Sequence, residues 1–566
     1  MKRIKYLTII SAVALAMLSF SSCTNDLNVM PLATNISTAA TTFNNTATPY
    51  IEYLAKIYAG FSTGGIQGGD NQVDISGYDG GSQAGYLRPL WNLEELPTDE
   101  AMCAWNDAGV PDFHAFTWTS SNVFIEAFYA RLYYQITIAT AFLQQTTDAQ
   151  LAARKCSTSL IDSIHTFRAE ARFLRALSYD NVLDLFRNGP LVTDASPIGS
   201  ATLPQYATAQ QILSYITTEL NACQTNLLPP AVGYGPTYGH ANQAAAWSLL
   251  ARVYLNANTY LENTTPVKQY YDSCLTNCSK VIAAGYQLEP TYQNLFVPDN
   301  YKSNEIIFPN IYDGTNLTTW GGLMFLECSA VDNKIQGVIN APGEWGGNRA
   351  VQEFVGRFTK EEPNCQYDQR FAMLHQNGYW VDSIAKGITY RVHEPAFQLS
   401  INDNTQFEQG TPLLKYSNIT SSGDSLKASF ATGAFPLFRL GDIYLMYAEA
   451  VLRGGTGTNV SATTALGYIN ALRDRADNSG AGLLEITSDQ LILPFILEER
   501  AREMFAEATR RTDLVRFGDL TSSTYLWQWK GGIKNGQGVD KKYNVYPLPA
   551  TDMGANPNLK QNPGYN

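Results

Sequence analysis

LEERAREMFAEATRRTDLVRFG, residues 497 to 518, decides how the chain is read. Leu497, Ala501, Met504, Phe505 and Ala508 fall at i, i+4, i+7, i+8 and i+11, the spacing of one apolar stripe on an α-helix. The opposite face is charged. Glu498 stands four residues before Arg502 and Glu507 four before Arg511, the acid-first order that supports a helix, with acids early and arginines late as the helix dipole prefers. Proline is tolerated only in a first turn, so the helix is expected to start near Pro494.

Outward from this stretch, the chain predicts helices in pairs. Residues 124–144 and 164–186 form the first pair, and 209–220 and 243–256 the second. The third is split, 267–284 being separated from 440–452 by a long insertion, and 463–475 with the opening helix makes the fourth. The run AAAWSLLARVYLN near Trp247 has the small-residue and tyrosine pattern of tetratricopeptide helices. Each pair buries its apolar face only against its neighbours, so the four are expected to stack into one curved scaffold.

The 566 residues show no linker, which points to a single large domain over 46–566. Net charge is −12, or −15 without Lys2, Arg3 and Lys5, which argues against nucleic acid as a partner. Residues 1–22 read as an export signal: a basic start, an apolar run from Tyr6 to Leu18 too short to span a bilayer, then Ser21 and Ser22 before Cys23. That ending resembles a bacterial lipobox, although Phe20 stands where leucine is usual, and it makes Cys23 the expected lipid-bearing residue. Residues 23–45, rich in Thr, Asn and Ala, are the expected tether. The other seven cysteines are scattered and suggest neither a disulfide framework nor a zinc site, so no metal or cofactor is expected.

Several segments in order resemble the SusD-like (RagB/SusD) lipoproteins. Glu499, Arg500, Glu503, Asp513, Leu514 and Arg516 match the family's ERxxE and DLxR signature. LEELPTDEA from Leu93, FRAEARFLRA from Phe167, FRLGDIYLMYAEA from Phe438, INALRDRA from Ile469 and the ending YPLPATDMGANPNLKQNPGY from Tyr546 follow the same pattern. The resemblance implies a mainly α fold of four tetratricopeptide-like pairs, with loop and short-strand insertions forming a ligand face. It also implies a non-catalytic, lipid-anchored protein on the outer-membrane surface that captures oligosaccharide for a SusC-like, TonB-dependent barrel. Capture of another glycan or of peptides, or a surface glycosidase, are the alternatives.

Recognition is expected in two stretches outside the helix pairs. Residues 60–118 are rich in glycine and carry Tyr78, Tyr86, Arg88, Trp91, Trp105, Asn106 and Asp107. Residues 286–436 carry Tyr312, Trp320, Trp345, Tyr379 and Trp380, with a short run from Glu305 to Phe308 expected to pair as a strand. A sugar ring presents an apolar C–H face and a rim of hydroxyls, which calls for flat aromatics edged by polar groups. Similarity to the family's starch-binding member implies Trp105, Trp320 and Trp345 as an aromatic arc, with Arg88 and Asn106 or Asp107 at its rim, and an α-glucan as ligand. Trp527 and Trp529 are expected to cover the scaffold as a short strand. Five histidines form no HExxH, no GxSxG is present, and Gly64 to Gly69 is a poor phosphate loop. Glu94, Glu95, Asp99 and Glu100 remain as the carboxylates a glycosidase would draw on.

Overall fold

The computed structural model describes residues 42–65, 72–361, 364–374, 398–427 and 429–565, together with the backbone of 379–381 and 390–392. Cys23 and the side chains of Tyr379 and Trp380 lie outside the described residues.

In chain order the main elements are α1 (Thr48–Ser62), α2 (Leu87–Glu95), β1 (Ala101–Cys103), α3 (Val123–Gln145), α4 (Thr158–Phe186), α5 (Ala209–Cys223), α6 (Gln243–Tyr260) and α7 (Lys268–Ala283). There follow β2 (Ile306–Tyr312), α8 (Leu323–Ser329), β3 (Asn348–Ala350), β4 (Thr411–Pro412), β5 (Gly433–Arg439), α9 (Leu440–Leu452), α10 (Ala462–Ala476), α11 (Leu493–Met504) and α12 (Arg510–Phe517). Their starts are set by side chains that accept the free N–H groups of a first turn. Asn122 caps α3, Ser157 α4, Asn242 α6 and Ser461 α10, while Thr208 and Gln211 form a reciprocal capping box on α5.

The helices pack serially: α3 on α4, α4 on α5, α5 on α6, α6 on α7, α7 on α9, and α9 on both α10 and α11. This is the helix-pair scaffold read from the periodicity. The long insertion leaves the scaffold on β2 and returns on β5, which pair antiparallel and deliver the chain directly into α9. The strand expected from Glu305 to Phe308 therefore exists and runs further, to Tyr312.

The stretch 497–518 departs from a single helix. The helix begins at Leu493 with Pro494 in its first turn, as expected, but ends at Met504. Ala506 and Ala508 adopt left-handed backbone with φ of 57° and 56° before α12 begins. The break is held by acids from the segment that opens at Leu93. Glu100 accepts the N–H of Ala506, Glu95 that of Thr509 at 3.1 Å, and Glu94 that of Thr512 at 3.1 Å. Asp99 binds the Arg510 guanidinium through both oxygens at 2.8 and 2.9 Å. Long-range acceptors thus replace intrahelical ones, a tertiary effect that no local spacing reveals.

The charged face is not solvated either, and neither expected i,i+4 pair forms. Glu498 pairs with Arg357 and Lys360, Arg502 with Glu499, Glu507 with Lys415 and Arg439, and Arg511 lies nearest Glu94. Glu499 and Glu503, both fully buried, share Arg370 at 2.7 and 3.0 Å. Glu499 also binds Arg473 of α10, and Glu503 binds Arg439 and Arg475, so α10 and α11 are joined by buried ion pairs. Arg500 reaches Asp442 and Asp513, and Arg516 reaches Glu449. A buried charge is tolerated only when paired, and here most partners come from other segments; Arg502 pairs within its own helix with Glu499 and at 3.4 Å with Glu361.

Trp527 and Trp529 do not form a strand. Trp527 is buried, and Trp529 has a φ of 67° at the start of a 3-10 turn, where its indole N–H donates to Ile401. Cys274 and Cys278 face each other on α7 as buried thiols, their sulfurs 3.9 Å apart.

Candidate functional site: a row of aromatic rings

β1 pairs antiparallel with β3, setting Cys103 opposite Asn348, and the Ala104 N–H extends the ladder to the Gly347 carbonyl at 2.9 Å. Trp105 and Trp345 lie just beyond this register. Their ring centroids are 6.4 Å apart with planes at 52°, and the Trp105 indole N–H donates to the Trp345 carbonyl at 3.1 Å. Glycine is required at 347 by close approach, because a Cβ there would lie 2.4 Å from the Trp105 ring.

The loop carrying Trp345 is hung on the end of α8. The N–H groups of Trp345, Gly346 and Gly347 donate to the carbonyls of Cys328, Val331 and Ser329 at 2.8, 2.9 and 2.7 Å. Trp320 precedes the same helix, and its neighbour Gly321 accepts the N–H of Arg88 at 3.0 Å, which fixes it to the start of α2. The Trp320 ring stands 6.2 Å from Trp345 with planes at 47°, and Phe430 stands 4.9 Å beyond it at 50°. One row results: Trp105, Trp345, Trp320, Phe430. Trp320 is 39% exposed and the other three are half-buried.

Arg88 lies behind the row rather than at its rim. It is 8% exposed, with its guanidinium carbon 5.2 Å from the Trp105 ring centre, 4.9 Å from Phe325 and 5.8 Å from Phe124. The contacts are cation–π in geometry and brace the wall beneath Trp105. Asn106 and Asp107 are exposed immediately after Trp105, and Glu344 is exposed immediately before Trp345. Of the other aromatics in the two stretches, Tyr86, Trp91 and Tyr312 are buried core and Tyr78 is half-buried. Phe430 was not read from the sequence, since a lone Phe in a Ser- and Thr-rich segment carries no local signal, and Glu344 was passed over beside its tryptophan.

The four carboxylates of the LEELPTDE segment serve the scaffold. All are buried against the α11–α12 break. Burial lifts the Glu94 and Glu95 carboxyls well above their usual range and pushes Glu100 up to about 7. Burial also opposes ionisation of Asp99, but Arg510 and Arg357 outweigh it and hold that carboxyl well below the ordinary range.

A family model described as "SusD family" matches residues 304–565, and one described as "Starch-binding associating with outer membrane" matches 87–255. The starch-binding protein SusD of Bacteroides thetaiotaomicron is 32% identical, with 100% of this chain and 99% of that protein aligned. Among solved structures, a SusD-like carbohydrate-binding protein of Bacteroides fragilis superposes with a TM-score of 0.69 at 20% identity, covering 91% of this chain and 99% of that one. A laminarin-binding SusD-like protein gives 0.64 at 21%, covering 92% and 100%. The helical fold, the family models and the full-length relative together define a non-catalytic carbohydrate-binding protein on a helical-repeat scaffold. The chain belongs to the SusD family of outer-membrane, surface-exposed lipoproteins, which capture glycans for a SusC-like, TonB-dependent partner.

Proposed function

We propose that the row of Trp105, Trp345, Trp320 and Phe430 binds an α-glucan of the starch type, with Asn106, Asp107 and Glu344 placed to meet sugar hydroxyls and Arg88 bracing the rings from behind. The observation that carries this reading is the tilt between successive rings, 52°, 47° and 50°. A tilted row offers a bent surface, which suits a glucan that coils and leaves a flat ribbon polymer touching fewer rings. The full-length likeness to a starch-binding relative supports the same ligand. We further propose that Cys23 carries the lipid and that residues 23–45 tether the domain.

Calorimetric titration with maltoheptaose, α-cyclodextrin, laminarihexaose and cellohexaose tests the ligand. Binding of the first two is the expected result. Binding of only a β-linked glucan removes the starch assignment and leaves the ring row standing, and binding of none removes both.

A further inference from the structure

A cleft of about 950 Å³ opens where the start of α5 and the end of α6 meet the C-terminal segment 540–564, and it shares no lining residue with the ring row. Arg187, the residue after α4, forms part of its wall and is only 6% exposed.

Arg187 is held in place without being neutralised. Its Nη1 donates to the carbonyls of Leu183, at 2.9 Å, and Asp184, and its guanidinium carbon lies 4.8 Å from the ring centre of Tyr260. Among the described residues no carboxylate forms an ion pair with it, and the nearby Asp184 carboxylate is engaged by the Thr512 hydroxyl at 2.6 Å. Nε and Nη2 make no bond among the described residues, yet neither is sealed from solvent, so both open on the cleft. Burial lowers this guanidinium below its ordinary range, and Asp184 offsets only part of that cost. A negative group entering the cleft would meet a buried charge that the scaffold leaves without a counter-ion.

Three lysines supply the second observation. Lys541, Lys542 and Lys560 line the same cleft, and none is in an ion pair among the described residues. Lys542 lies over the rings of Tyr543 and Tyr565 at 5.0 and 5.2 Å, and Lys560 over Tyr206 at 5.6 Å, contacts that position an ammonium and leave its charge intact. Two acids share the lining: Asp540 accepts the Lys542 N–H at 2.9 Å, and Glu262 is exposed past the end of α6. Four cations therefore face two acids, on a chain whose net charge is −12. Thr208 to Gln210 open on the same space, so the positive end of the α5 dipole adds to that field.

We propose that this cleft binds a phosphate monoester, its tetrahedral head set among Arg187, Lys541, Lys542 and Lys560 and its organic body against Tyr206. A guanidinium fork and mobile ammonium groups suit a head with three terminal oxygens and nearly two negative charges. A carboxylate, with one charge, would leave half of the positive surplus unmet.

The test uses the full chain and calorimetric titration with phenyl phosphate and benzoate, beside flotation with phosphatidylcholine vesicles made with and without phosphatidic acid. Saturable binding of phenyl phosphate, tighter than benzoate, is the expected result. Flotation that depends on phosphatidic acid, with or without binding of the free ester, also supports the site and assigns the head to a lipid surface. The pair Lys541→Ser, Lys560→Ser, both exposed, should weaken the phosphate about tenfold or more while maltoheptaose titration and melting stay unchanged. Arg187→Met should weaken it further, and the lysine pair carries the test alone should that variant fail to fold. Absence of both phosphate binding and flotation overturns the proposal. So does benzoate binding as tightly, full affinity in the lysine pair, or an equal loss in Lys280→Ser, an exposed lysine outside the cleft.

Discussion

The indole N–H of Trp105 donates to the main-chain carbonyl of Trp345 across 240 positions of sequence. The bond fixes one ring of the row through the backbone of the next, so the two rings are not independent. Trp320, by contrast, is 39% exposed, with ring contacts to Trp345 and Phe430. Base stacking on aromatics is worth roughly 1 to 3 kcal/mol per ring, and we take that scale for sugar stacking. Trp320→Ala should therefore weaken maltoheptaose about fivefold to a hundredfold with little change in melting. Trp105→Ala should lose both affinity and stability, because Arg88 and Phe325 pack on that ring. Titration beside thermal melts separates the two, and full affinity in both variants would remove the site.

Arg439 touches three buried acids, Glu305 at 3.0 Å, Glu503 at 2.7 Å and Glu507 at 2.7 Å. Arg439→Met leaves those charges under-compensated and should cost about 3–5 kcal/mol in urea denaturation, as broken buried pairs do. Lys268→Ala, which removes an exposed pair with Asp272, should cost about 0–1 kcal/mol. Equal losses would mean that the buried network is not what holds α10, α11 and β5 together.

Ala506 and Ala508 hold left-handed backbone that suits glycine better. Ala506→Gly and Ala508→Gly should each stabilise the chain by about 0.5–1 kcal/mol, the strain relieved exceeding the added entropy of the unfolded chain. A fall in midpoint for both would show that the alanine methyl groups pack more tightly than the backbone is strained.

Stability should pass through a maximum in mildly acidic solution. Glu449 and Glu503 are buried, yet arginines outweigh that cost and lower both to about 2. Their contribution is present above the unfolded value of about 4.3 and is lost as pH falls through 2. Burial raises Glu100 and Asp180 to about 7. Their folded forms hold a proton that the unfolded chain has released, so their contribution is complete below about 4 and is lost as pH rises through 7. Asp180 Oδ1 has no partner among the described residues, so Asp180→Asn should flatten the alkaline limb without moving the acid one. An unchanged slope between pH 5 and 7 would dismiss that residue as its source.

Cys23→Ala should abolish fatty-acid labelling and release the protein from the membrane fraction. Labelling that persists would place the anchor elsewhere.

Much of the scaffold was legible because helix periodicity and caps are local. Pro494 marked the start of α11, and the predicted helices around 124–144, 209–220 and 440–452 all appear, the first longer by one residue at each end, the second running on to Cys223 and the third with the predicted bounds. The break after Met504 was not legible, since it depends on Glu95 and Glu100, some 400 residues earlier, supplying the acceptors. The charged face of α11 was misread for the same reason: Glu498 and Arg502 have ideal spacing for each other, but Arg357 and Glu499 take them. In the site, the glycines after Trp320 and Trp345 were informative, because small residues mark where backbone and ring come close. Arg88 carried no sign that it would lie behind the rings rather than beside them.

Only Ala104 separates the Cys103 rung from Trp105, and only Gly346 and Gly347 separate Trp345 from the opposing Asn348 rung. A residue inserted at either place would advance the chain by about 3.3 Å and turn the following side chain to the other face. The two short spacers therefore act as a gauge block. Descendants of this chain are free to exchange ring types and lengthen the outer loops, changing which sugar is read, but an insertion or deletion of one residue inside the gauge should silence recognition as thoroughly as deleting a tryptophan.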